Sequence, residues 1–239
     1  MSDNGDPANP QTIHPPFLAD TNTLFIPTIK TRSHFALHHM YSAVKAARRA
    51  REIEITHSEE GHGPWYDEML HTVPVAIIMA AAALEAQIND AVQDILDRKG
   101  ADQPDAALRL LLKELKDGTA GDTLAKCRQV LLLLGAVPDT GRRVWEETKL
   151  LLTLRNRFIH FKPAWDHEAV HDSDWVKQLK LRVPIYAPYA ERFQFPYGFI
   201  TYGTAKWAIT TALNFAAHVT PLLGVPNRFA GQDYALPEN

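Results

Sequence analysis

Six long stretches of this chain carry apolar residues at helical spacing, and all but the first are closed by a glycine or a proline. The longest runs with strand-like composition are VPIYA and RFQF, too short to build a sheet. A chain punctuated in this way has to bury its apolar stripes helix against helix. The expected class is all-α, a bundle of about five to seven helices in one domain.

SHFALHHMYSAVKAARRAREIEI opens the series, with Ser33 in the N-cap position. After the loop HSEEGHGPW, a long helix is expected over about residues 67–99, with Pro74 early in it and Gly100 closing it. PDAALRLLLKELKDG and GDTLAKCRQVLLLLG predict two shorter helices ended by Gly118 and Gly135. GRRVWEETKLLLTLRNRFIHFK is the next major helix, stopped by Pro163. The last, about 204–223, is ended by Gly224 and Pro226. Residues 1–30 read as an extended arm rich in Pro, Asn and Thr, 31–225 as the helical domain, and 226–239 as a C-terminal tail.

The 239 residues, 46% hydrophobic and 22% charged, are enough for a core that needs no staples. Cys127 is the single cysteine, so no internal disulfide forms, and it fits a reducing compartment. The opening MSDNGDPANPQTIHPP has no apolar stretch of the secretory kind. The most apolar run, VPVAIIMAAAAL, ends at Glu85, short of the roughly 20 residues that cross a bilayer. The expectation is a cytoplasmic protein without a membrane partner. A net charge of −3 supplies no global field for nucleic acid, so such a partner would rest on local cations.

LLTLRNRFIHFKPAW, residues 151–165, interrupts an apolar helix with Arg155, Asn156 and His160. Leu151, Leu154, Phe158 and Phe161 define one face, toward the bundle. Trp145, Leu152 and Ile159, spaced by seven, define a second apolar line roughly 140° away. Arg155 flanks that line on one side, Asn156 and His160 on the other. Two apolar stripes predict burial on two sides, the second against another helix or another subunit. An arginine placed there needs a counter-charge. Either an internal carboxylate such as Glu85 pairs with it, or an anionic ligand such as a phosphate does.

Arg155-Asn156-x3-His160 resembles the Arg-x4–6-His motif of the HEPN superfamily, all-α domains that include many RNA-cleaving toxins. AAAALEAQIND, with Glu85 and Asn89 one turn apart, is similar to the long helix of related chains, and FPYGFITYGTAKWAITTALNFA to their final helix. The similarity spans about residues 33–223. The resemblance implies a homodimer in which both trios line one cleft and RNA is cut without metal or cofactor. In it, His160 would serve as general acid or base, Arg155 would hold the phosphate, and Asn156 would orient either of them. The products would be a 2′,3′-cyclic phosphate and a 5′-hydroxyl. A role as a toxin or phage-defence component would bring an antitoxin or other neighbouring-gene protein as partner. Members of the family also bind without cutting, so a non-catalytic module for RNA, a nucleotide or a protein stands as the alternative.

Arg48 and Arg49 on the first helix, with Lys45, and Arg157 and Lys162 on the motif helix, with Arg142 and Arg143, are the candidate RNA-backbone contacts. Their bland counterpart is a solvated surface neutralised by Glu52 and Glu54. HEAVH, His167-Glu168-x-x-His171, matches a zinc-hydrolase pattern, with Glu191 the nearest third ligand, but its surroundings are polar. Glu68-x-x-His71 is half of a di-iron site without its other half. His34 and His38, one turn apart, could bind a metal with His57, His62 or His71, but surface or core roles are commoner. Cys127 reads as packing.

Overall fold

The computed structural model describes residues 32–118, 122–162, 173–189 and 195–238. The chain divides into two units, 1–33 and 34–239. The expected arm, residues 1–30, lies outside the described residues, and the second unit carries the fold. Among the described residues there are seven α-helices and no strand: α1 (Phe35–Thr56), α2 (Trp65–Leu96), α3 (Ala106–Asp117), α4 (Thr123–Leu133), α5 (Arg143–Ile159), α6 (Asp174–Lys180) and α7 (Tyr202–Leu223). The all-α class is as expected. α6 is an addition that the sequence reading did not contain.

α1 and α2 form the central hairpin. On α1, Ala36, Met40, Ala43, Ala47 and Ala50 alternate steps of four and three and are all fully buried. Val73, Ile77, Ala80 and Leu84 repeat that pattern on α2. A 3.5-residue period keeps one seam of each helix facing a partner, and the alanines let the axes come close. By length and composition α2 could cross a membrane. In this fold its apolar seam is spent on the core instead. α7 packs on α1 and α2, and α5 on α2 and α7. Trp145 of α5 meets Phe215 of α7 edge-on, with ring centroids 4.9 Å apart.

α7 is closed at each end by a group from elsewhere in the bundle, Glu54 of α1 at its start and Arg98, just after α2, at its end. At its start Thr201 accepts a bond from the Thr204 amide at 3.1 Å, and the Glu54 carboxylate of α1 accepts one from the Tyr202 amide at 2.6 Å. Two of the orphan N–H groups are thus satisfied, one from across the bundle. At its end Gly224 adopts φ +64°, and the Arg98 guanidinium of the segment after α2 donates to the Leu223 and Gly224 carbonyls. A Cβ on Gly224 would suffer both the left-handed backbone and a 3.1 Å approach to Arg98 Nη2.

Burial pushes the Glu54 carboxyl above the usual carboxylate range, against the opposing pull of the Tyr202 amide and Arg51. A raised folded pKa contributes stability that is present below the unfolded value, about 4.3, and is lost as pH rises through the folded one. Glu54→Gln keeps an acceptor oxygen without the charge. It is expected to equal or exceed the parent in urea midpoint at pH 7, with the difference shrinking toward pH 4. Glu54→Ala should cost about 1 kcal/mol at pH 7 through the lost cap. A glutamine variant markedly weaker at pH 7 would show that the charge itself holds α7.

Beyond Gly224 the chain turns back across the bundle. Arg228 donates to both Asp94 oxygens, at 2.8 and 2.7 Å. The Tyr41 hydroxyl donates to Gln232, and the Arg48 guanidinium to the Ala235 carbonyl. Tyr202 and Lys206 both donate to the Pro237 carbonyl. Phe229 and Tyr234 are buried, and wholly buried Gln87 of α2 reaches the Pro226 carbonyl. The segment read as a tail is a strap that ties α1, α2 and α7 together.

Candidate functional site

The two apolar lines of α5 are buried at their N-terminal ends and emerge at their C-terminal ends. Leu151 and Leu154, and Trp145 and Leu152, are buried; Ile159 and Phe161 are each 48% exposed. The spacing placed Phe161 on the inner face of a helix running to Lys162. The helix ends at Ile159 instead, with His160 in the C-cap position. Pro163 disfavours helical backbone in the residue before it, so the last turn is given up and Phe161 leaves the helical wheel. The polar trio therefore lies where the helix leaves the bundle, not inside a seam between elements of this chain.

Asn156 is exposed and points away from the core. At about 100° per residue its neighbours Arg155 and Arg157 fall to either side, and each is braced by a different helix. Arg155 Nη2 donates to Glu85 of α2 at 3.2 Å. The guanidinium of Arg157 lies over the Trp175 ring of α6, 5.6 Å from its centroid. One turn past Asn156, His160 is exposed, and its amide donates to the Asn156 carbonyl at 2.9 Å. Its ring makes no hydrogen bond among the described residues, which leaves both nitrogens open to a ligand.

The Arg155–Glu85 pair is partly exposed, at 22% and 50% for the two side chains. It uses one of the guanidinium's donors and leaves the rest of the fork available. Of the two supporting residues on α2, Glu85 thus meets the motif and Asn89 does not. The Asn89 side-chain oxygen accepts from Lys126 of α4 at 3.1 Å.

The candidate RNA contacts divide in two. Arg48 is spent on the strap's Ala235 carbonyl, and Arg49 on Glu68 and Glu52. Arg142 and Arg143 pair with Asp139 and Glu147. Arg157 and Lys162 are exposed and form no ion pair among the described residues. Trp175, which positions Arg157, was not singled out from sequence. It sits on a seven-residue helix too short to carry a periodic signal.

The metal candidates do not converge. HEAVH and Glu191 lie outside the described residues. His34 Nδ1 lies 3.1 Å from Asp90, while His57 stacks on Trp65 and bonds Glu60. Glu68, half of the di-iron pattern, is taken by Arg49. Among the described residues no three His, Cys, Asp or Glu side chains are grouped to hold an ion. Cys127 is buried in α4, and burial pushes its thiol up to about 12, consistent with packing.

Set against protein-family models, curated protein sequences and solved structures, the chain matches none.

Proposed function

We propose that this chain is a HEPN-like, metal-independent RNA endonuclease that works as a homodimer in the cytoplasm. The observation that carries the reading is the end of α5. An arginine held by one nitrogen, an outward asparagine and an unengaged imidazole stand within one and a half turns of each other on an exposed surface.

RNA brings its own nucleophile. The 2′-hydroxyl attacks the adjacent phosphorus, the bond to the 5′-oxygen breaks, and a 2′,3′-cyclic phosphate and a 5′-hydroxyl result. The His160 imidazole takes the proton of the 2′-hydroxyl or gives one to the departing 5′-oxygen. Arg155, pre-aimed by Glu85, binds the phosphate oxygens as charge builds on them. Asn156 orients the phosphate or the imidazole. Ile159, exposed beside Asn156, offers an apolar edge to a second copy, which would bring two trios to one cleft. A toxin or phage-defence role, with an antitoxin or other neighbouring-gene partner, belongs to the same reading.

A second reading draws on the ion pair itself. If Glu85 keeps Arg155 occupied, the same surface is a non-catalytic module for RNA, a nucleotide or a protein.

The deciding experiment incubates purified protein with RNA in the presence of a chelator and identifies the product ends. Cyclic phosphate ends that vanish with His160→Ala are expected. Intact RNA with both proteins would remove the nuclease.

A further inference from the structure

The surface just beyond α5 combines an exposed aromatic ring with two cations that no carboxylate among the described residues neutralises. Phe161 is 48% exposed although it directly follows His160. Its ring is braced from behind: Phe195 lies 6.3 Å away, and Phe195 is in turn held by Trp175 at 5.0 Å and Phe158 at 5.3 Å. Such a ring presents a fixed face to solvent at little cost in mobility. Beside it, Arg157 lies over the face of Trp175 and pairs with no acid among the described residues, so its N–H fork is open to an oxyanion. Lys162 follows Phe161 directly and is exposed. At the other end of α5, Arg142 and Arg143 are both neutralised by acids. Apart from Lys149 at mid-helix, the cations of α5 and its flanks that form no ion pair among the described residues, Arg157 and Lys162, therefore stand at the end that carries His160.

We propose that the end of α5 is a seat for single-stranded RNA, in which Phe161 stacks an unpaired base and Arg157 and Lys162 hold the flanking phosphates. The seat rests on the reading of His160 and Arg155 given above and specifies its substrate. A duplex keeps its bases stacked inside and offers only backbone to an exposed ring, whereas a single strand can lay a base on it. Charge complementarity selects a polyanion, and the ring selects a strand with accessible base faces.

The test measures binding of a fluorescent single-stranded 2′-O-methyl oligoribonucleotide to the full chain by anisotropy. That probe lacks the nucleophilic hydroxyl, so binding is read without cutting. Phe161→Ala is expected to weaken binding about 5- to 100-fold, and Phe161→Trp to retain it. Lys162→Ala should weaken binding and flatten its dependence on salt, while Arg143→Ala leaves both unchanged. A duplex of the same sequence should bind more weakly and ignore Phe161. Thermal melts confirm that the exposed substitutions leave the fold intact. Single-strand binding that is indifferent to Phe161, or a duplex bound as tightly, overturns the seat. So does a chain that binds neither probe but whose self-association changes with Phe161→Ala, which would make the ring a protein contact. Natural RNA cleaved with no dependence on Phe161 removes the seat and keeps the nuclease; Phe161-dependent binding without cleavage keeps the seat and removes the nuclease.

Discussion

A chain ended after Val225 is expected to lose about 3–6 kcal/mol of stability from the burial of Phe229 and Tyr234 alone. Gln87 adds to this. It is wholly buried beneath the strap, and its amide would lose the bond to the Pro226 carbonyl, a cost of about 0.5–1.5 kcal/mol once water can reach it. Asp94 would lose the two bonds from Arg228. Against a total stability of about 5–15 kcal/mol for a domain, such a loss leaves a marginal protein. A shorter cut, after Tyr234, removes half-buried Leu236 and the carbonyls of Ala235 and Pro237. The donors left on Arg48 and Lys206 are exposed to water, but the Tyr202 hydroxyl loses its acceptor on a side chain that is almost wholly buried. The shorter cut should cost about 1–3 kcal/mol, less than the longer one, because both buried rings of the strap stay in place. Urea midpoints of the two truncations and the full chain, compared at equal slope, read the difference. If the longer truncation does not fold, Phe229→Ala provides the measurable step, expected at about 3–5 kcal/mol. Equal midpoints for all of them would mean that the strap is not part of the folded core.

That strap marks the limit of what local pattern conveys. Helix ends were legible because a stop needs a residue with special backbone chemistry, and Gly100, Gly118, Gly135 and Gly224 stand where the helices give out. The first helix was legible as a stretch of apolar residues at helical spacing, but the alanine seam that packs it on α2 was not singled out. RFAGQDYALPEN carries only two large rings in a polar run, and nothing in it shows that each ring has a slot on the bundle. The partners of Arg48 were hidden for a related reason: a backbone carbonyl has no residue signature. α6 was invisible because seven residues are too few to nucleate alone and are held by packing. Within the candidate site, Glu85 could be paired with Arg155 from sequence because charge demands a partner. The same reasoning could not foresee that Asn89 would turn to Lys126, since an amide can satisfy itself in many directions.

Arg155→Ala is expected to lower RNA cleavage about 10²- to 10³-fold while changing stability by no more than about 1 kcal/mol. The two effects separate because the Arg155–Glu85 pair is partly exposed, at 22% and 50%, so breaking it leaves no buried charge behind. Loss of activity could not then be blamed on unfolding. His160→Ala should cost about 10²- to 10⁴-fold, again without a stability change, because its exposed ring bonds nothing among the described residues. Arg155→Lys keeps the charge but not the planar fork, and should fall between the parent and alanine if two phosphate oxygens are gripped at once. Glu85→Gln keeps an acceptor oxygen but removes the charge that braces the arginine, and leaves the arginine present, so its loss should be smaller than that of Arg155→Ala. This ordering is what separates a working guanidinium from a structural one. Were Arg155→Ala to cleave like the parent while Glu85→Gln and Arg155→Ala shared one small drop in melting temperature, the pair would be a surface tie between α2 and α5, and the chemistry would have to rest on His160 without it.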